Sequence, residues 1–266
     1  MRPGNKLLAT IFALTCSAGT QAITIDGGWA DWITLNGVGS ADDWIPNDPS
    51  VKYMVDDQSG GSGDYLNPGY GGQAFDAEAI YVKKDSLNIY VAVITGRNPD
   101  ATGWRWGDIA LDFGLDGTYE YGLVTRGDSE GIGLAGEIYQ VDEWNVGIWD
   151  APDDHNPNPT TDYANEHPTS IQAGTKLGNG GFAHSPMNAV VGVLGGDHYF
   201  MEASIPISIL DAQYLTGPFM AHWTMGCAND WVEVDPPGGS VPVSGSLSLF
   251  GLGLLGMLGA RRRQMM

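Results

Sequence analysis

The stretch Leu87-Asn88-Ile89-Tyr90-Val91-Ala92-Val93-Ile94-Thr95 decides the fold class. It is rich in β-branched and aromatic side chains, which pack well on a pleated surface, and it holds neither glycine nor proline. Working outward, similar short runs recur at Ala79–Val82, Asp108–Phe113, Tyr119–Val124, Gly136–Val141, Ala189–Leu194 and Tyr199–Ile205, each bounded by turn residues. Several alternate apolar with small or polar residues, as a half-buried sheet requires. Between the two ends of the chain no segment shows a long helical period; Ser208–Ala212, after Pro206, predicts one helical turn. The expected architecture is an all-β antiparallel β-sandwich, jelly-roll-like, with long loops, spanning 23–235. About 210 residues suit one such domain with a sizeable core. The loops Gln58–Gln73 and Asp150–Ser170 are rich in glycine, proline, asparagine and aspartate, and loops of this length in a compact domain usually carry function or move. Pro236-Pro237-Gly238-Gly239-Ser240 reads as a linker.

The two ends differ from this body. Arg2 and Lys6 precede the apolar run Leu7–Leu14, and Thr20-Gln21-Ala22 ends in a small residue, which predicts a signal peptide over 1–22. At the other end, a glycine- and leucine-rich run from Leu247 to Ala260 meets Arg261-Arg262-Arg263. Such an order places an apolar helix in a membrane with its basic end in the cytoplasm. Val241-Pro242, the run Ser246–Gly256 and Ala260–Arg263 together resemble a PEP-CTERM sorting signal, the exosortase-processed tail of Gram-negative surface proteins. Val243 and Ser244 stand where Glu and Pro are usual in such tails. The resemblance implies a linker and sorting motif at 236–246 and a transmembrane helix with an Arg-rich tail at 247–266. It also implies export across the inner membrane, passage through the exosortase machinery, and a cell-surface or extracellular location in a Gram-negative bacterium. An ordinary anchor helix that is never cut is the alternative.

Charge narrows the partners. All 32 acidic residues lie between 23 and 235, with only seven of the 12 basic ones, giving that region a net charge of −25. Phosphates would be repelled, so no nucleic acid is expected. Cations and neutral polymers such as glycans are compatible, as is plain solubility. With Cys16 inside the expected signal peptide, Cys227 is the one remaining cysteine and is expected as a buried structural thiol, not half of an intramolecular disulfide.

A second resemblance covers most of 23–210. Ile23-Thr24-Ile25-Asp26-Gly27-Gly28-Trp29-Ala30-Asp31-Trp32 is similar to the opening of carbohydrate-binding module family 9-like and DOMON-like β-sandwiches. Phe75–Val82 followed by Asp85 and Leu87–Ala92, and later Glu202-Ala203-Ser204-Ile205-Pro206 with Leu210, continue it. Gly107–Ala110, Asp116–Gly122 and Trp223–Asp230 also resemble segments of uncharacterised PEP-CTERM proteins. These resemblances imply the sandwich fold, export, and carbohydrate binding with structural Ca²⁺; they imply no established activity.

The candidate site residues are carboxylates and tryptophans. Asp108, Asp112, Asp116 and Glu120 are spaced by four, and a tight turn at Leu115-Asp116-Gly117 predicts that Asp112, Asp116 and Glu120 converge. Hard oxygen ligands at this density suit Ca²⁺, although solvated turn acids are the plainer reading. Asp76 and Glu78 lie two apart, hence on one face of a regular strand, and with Glu202 form either a metal or hydrogen-bonding cluster or a set of loop caps paired with neighbouring backbone groups. Trp104 and Trp106 share a face if the chain is extended there, so they are expected to be jointly buried or jointly presented. Trp144 and Trp149 border the long acidic loop. Exposed indoles stack on sugar rings, and these four are the candidate ligand platform. The histidines show no zinc-protease spacing, and no nucleophile elbow, P-loop or dinucleotide fingerprint is present. The expectation is a non-catalytic, exported surface or matrix protein that binds glycan or exopolysaccharide, against a purely structural envelope or biofilm protein with no small ligand.

Overall fold

The computed structural model describes residues 22–34, 44–56, 71–126, 131–147, 167–186, 197–214 and 216–234. The expected signal peptide before Ala22, the strand at 189–194, the linker 236–246, the C-terminal helix 247–266 and Trp149 lie outside these residues. Among the described residues no helix is long and apolar enough to cross a membrane.

The chain forms two antiparallel sheets. The strands are β1 (Lys52–Val55), β2 (Ala77–Lys84), β3 (Asn88–Thr95), β4 (Ile109–Phe113), β5 (Tyr121–Leu123), β6 (Glu137–Val146), β7 (Pro168–Asn179), β8 (Gly181–His184), β9 (Tyr199–Pro206), β10 (Phe219–Thr224) and β11 (Trp231–Val234). The five-stranded sheet runs β1-β2-β3-β9-β8 and the six-stranded sheet β11-β10-β4-β5-β6-β7. The all-β sandwich expected from the sequence is therefore present. The turn expected after Pro206 is a 3-10 turn at Ile207–Ile209, with a second at Ala212–Tyr214. β7 begins at Pro168, so the last residues of the expected loop Asp150–Ser170 belong to a strand.

The main core fills the space between the sheets. Ile80, Val82, Val91, Val93 and Met201 meet Leu111, Phe113, Tyr121, Leu123 and Trp223 there. β3 reads as nearly continuous apolar sequence because its other face is covered as well. Ala79, Tyr81, Ala92, Ile94 and Phe200, on the outer side of the five-stranded sheet, pack under Ile23, Trp32, Ile33, Trp44 and Val51. A strand buried on both faces has no need to alternate. The Tyr81 hydroxyl donates to the Trp44 carbonyl at 2.7 Å, and Lys83 pairs with Asp48 at 2.9 Å, fastening this cover down.

The outer face of the six-stranded sheet differs. Cross-strand pairing puts Glu233, His222, Ala110 and Gly122 in one row across β11, β10, β4 and β5. The two small residues in mid-row leave a depression that larger side chains fill from either side. A Cβ at Gly122 would lie 2.5 Å from the Trp144 ring and 2.9 Å from Ile171 Cδ1, so glycine is required for the indole to lie down there.

Candidate functional site

A groove of about 690 Å³ opens on this outer face. Tyr119, Trp144 and Trp231 give it aromatic walls, Asp142 and Glu233 give it carboxylates, and Gly117-Thr118 closes one side. Each wall has a local cause. Trp231 and Glu233 alternate with the core residues Val232 and Val234 along β11, so both project outward. Trp144 comes from β6, where the register against β7 shifts between Glu143 and Trp144, and its indole N–H donates to the Tyr119 carbonyl at 2.9 Å. Tyr119 and Trp144 meet edge to face at 6.5 Å, the favoured arrangement of two aromatic quadrupoles.

Under Trp231 lies a stack of imidazoles. His167 stacks on Trp231 at 4.7 Å between ring centroids and on His222 at 5.3 Å. His222 is fully buried, and neither of its ring nitrogens has a hydrogen-bond partner among the described residues. Its Nδ1 lies 3.8 Å from Glu233 Oε2. Burial pulls His222 below its ordinary value, against the opposing pull of Glu233. Burial, with His222 second, brings His167 down to about 3. Both rings are therefore neutral near pH 7, and the stack acts as an uncharged aromatic floor.

Beside the groove, the expected acidic group is assembled. Ligand oxygens of Asp112, Asp116 and Glu120 all lie within 4.8 Å of one another. The turn that joins them is built by the same carboxylates. Asp116 N and Gly117 N donate to Asp112 at 3.3 and 2.9 Å, Thr118 N donates to Asp116 Oδ1 at 2.9 Å, and Phe113 N donates to Glu120 Oε2 at 2.8 Å. Burial, followed by the charges of Asp112 and Asp116, pushes Glu120 above the usual carboxylate range. This spacing fits oxygen ligands around a single Ca²⁺, with the remaining coordination left to water or backbone, since that ion takes six to eight oxygens. Asp108, first of the four spaced acids, is turned elsewhere. It is buried and accepts from Thr125 N at 3.1 Å and Ile171 N at 2.9 Å, binding β7 to the strands beside it.

Asp76, Glu78 and Glu202 occupy three separate environments. A register shift between Ala77 and Ala79 breaks the regular alternation, so Asp76 and Glu78 do not share a face. Asp76 faces Asp230, which accepts from Ala77 N at 2.7 Å and thereby ties the two sheets together. Burial, and then the Asp76 carboxyl, push Asp230 well above the usual carboxylate range. Glu78 binds His198 at 2.9 Å and also accepts from Gln73 Nε2. Glu202 accepts from Asp26 N at 2.8 Å, Gly27 N at 2.6 Å and Trp32 Nε1 at 2.9 Å. With three donors on its oxygens, Glu202 serves as a cap for the N-terminal segment, the second of the roles open to it in the sequence.

The expected tryptophan pair is not formed. Trp104 is 45% exposed and Trp106 is 1% exposed. Trp104 has φ +48°, a left-handed conformation, so the chain is not extended there and the alternation rule does not apply. Trp106 belongs to the main core, donates from its indole to the Arg97 carbonyl at 2.7 Å, and meets His184 edge to face. Neither lines the groove. Of the four tryptophans expected to bind ligand, Trp144 does line it. Trp231, Glu233, Tyr119 and Asp142 were not singled out from the sequence. The alternation Trp231-Val232-Glu233-Val234 was the available signal for two of them. Cys227 is buried and free, with burial pushing its thiol up to about 11. No protein-family model matches the chain, and no characterised protein matches it.

Proposed function

We propose that this is a non-catalytic glycan- or exopolysaccharide-binding protein of the bacterial surface or matrix, and that its groove on the six-stranded sheet holds the sugar. The observation that supports the reading is the groove itself. Aromatic faces at Tyr119, Trp144 and Trp231 stand around a depression that also offers carboxylate acceptors. Pyranose rings present apolar C–H faces and hydroxyl edges, and this combination serves both. Among the described residues, 22–34 and 44–51 already cover the outer face of the five-stranded sheet. Family 9-like and DOMON-like resemblance at the start of the chain agrees with a carbohydrate-binding sandwich.

The signal-peptide pattern at 1–22 and the PEP-CTERM-like tail support delivery across the inner membrane and sorting by exosortase to the surface of a Gram-negative cell. Calcium at Asp112, Asp116 and Glu120 would stiffen the turn Gly114–Thr118, which forms one wall of the groove. The test is binding of the purified protein to an array of bacterial and plant polysaccharides, repeated with Trp231→Ala. Retention of a subset of glycans, lost in the variant while the fold persists by circular dichroism, is the expected result. No retention at all would leave a structural envelope or biofilm protein without a small ligand.

A further inference from the structure

The charge on the groove is one-sided. Asp142 and Glu233 line it. Among the described residues no lysine or arginine lines it. The imidazoles that could have supplied positive charge are held neutral by burial, as His167 and His222 both show. Lys83 and Lys176, two of the few bases in the described body, are engaged elsewhere with Asp48 and Glu137.

Three aromatic faces joined to carboxylates, with no cation, form a recognisable chemical environment. The faces of Trp and Tyr attract cations through their quadrupole, and the carboxylates add direct attraction. The same carboxylates repel a uronate or a sulfated sugar, which is discrimination by a repulsive element. Resting on the glycan reading above, we propose that the groove selects amino-sugar polymers bearing free ammonium groups, with Asp142 and Glu233 binding the ammonium and Tyr119, Trp144 and Trp231 stacking on the rings. An N-acetylated polymer offers the same rings without the charge, so the two are separable by this site.

The test is titration calorimetry on the purified full-length protein at fixed ionic strength and weakly acidic pH. The probes are a glucosamine tetrasaccharide, its fully N-acetylated counterpart, cellotetraose and tetragalacturonate. The expected result is tighter binding of the glucosamine tetrasaccharide, by about tenfold or more over both neutral probes, and no binding of the galacturonate. The general acidity of the body also attracts cations, so two double variants remove equal charge. Asp142→Asn with Glu233→Gln should abolish the preference. Asp197→Asn with Asp211→Asn, at exposed sites away from the groove, should leave it intact. Asp142 is exposed, so the single variant Asp142→Asn serves if the double one folds poorly. Equal binding of neutral and cationic probes, or equal loss in both double variants, overturns the selection while the glycan reading stands. Failure of all four probes, together with an empty array, overturns both.

Discussion

Trp32 donates its indole N–H to Glu202 across 2.9 Å, joining the N-terminal segment to a central strand of the five-stranded sheet. The same carboxylate receives Asp26 N and Gly27 N, so three donors converge on one acceptor group. Glu202→Gln keeps the volume but replaces one acceptor oxygen with an NH₂. If the amide oxygen serves the two backbone donors, the NH₂ faces the Trp32 N–H, donor against donor. The variant should lose about 1–3 kcal/mol in urea unfolding, the usual cost of an unmade buried hydrogen bond. Trp32 fluorescence should report loosening of the segment.

The two neighbouring tryptophans should respond oppositely to truncation. Trp106→Ala should destabilise by about 3–5 kcal/mol, because it empties a core position and frees the Arg97 carbonyl. Trp104→Ala should change stability by no more than about 0.5 kcal/mol, as exposed substitutions usually do. Thermal melts of the two single variants check this, and equal effects would contradict the burial assigned to them.

Gly122 makes room for the Trp144 ring, which lines the groove. Gly122→Ala places a methyl against the Trp144 ring, whose indole N–H is already committed to Tyr119. A displaced indole should weaken glycan binding at least severalfold and cost about 1–3 kcal/mol of stability through overpacking. Tryptophan fluorescence and the affinity series measure the two effects separately.

Calcium should stabilise the native chain. An ion held by Asp112, Asp116 and Glu120 at 100 times its Kd adds about 2.7 kcal/mol. EDTA should remove that gain, and Asp116→Asn should reduce it; Asp116 is exposed at the turn, so the variant is expected to fold. An unchanged melt with EDTA and with millimolar Ca²⁺ would reject the site.

The imidazole stack makes stability fall in acid. In the unfolded chain His167 titrates near 6.5, whereas the native site holds it to about 3. Between those values the unfolded state binds a proton that the folded state refuses. Its contribution is therefore complete above pH 6.5 and is lost as pH falls toward 3, on the order of 5 kcal/mol over the whole window. His222, also lowered, adds a change of the same sign. Asp230 and Glu202, both raised, contribute oppositely: the native groups keep protons that the unfolded chain releases as pH rises through the ordinary carboxylate range. His167→Phe, which keeps a flat ring beneath Trp231, should flatten the acid limb of stability against pH. An unaltered acid limb would place the titration elsewhere.

β2, β3, β4, β5 and β9 were legible, β3 most plainly because burial on both faces leaves an unmistakable apolar run. β6 was read only in its first half, and β1, β7, β8, β10 and β11 were not read as strands. β7 carries polar and small residues such as Gln172, Gly174 and Lys176 along an edge, and β11 sits beside a proline-glycine linker that masks its alternation. Convergence of Asp112, Asp116 and Glu120 was readable because a tight turn between adjoining strands fixes it locally. The groove was less accessible, since Trp144 and Trp231 are brought together by long-range pairing through β10, β4 and β5. Trp104 and Trp106 misled for a simpler reason. One residue with positive φ cancels a period-two argument, and nothing in its neighbours announces it.

Strand β11 is the final described element, and it supplies both Trp231 and Glu233 to the groove. Synthesis from the N-terminus onward yields β4, β5 and β6 first, with β10 and the wall on β11 still to come. Until residue 233 has emerged and β11 has paired with β10, there is no two-sided cleft for a ligand to enter. The two-sided groove is thus the last feature of the described body that synthesis can complete.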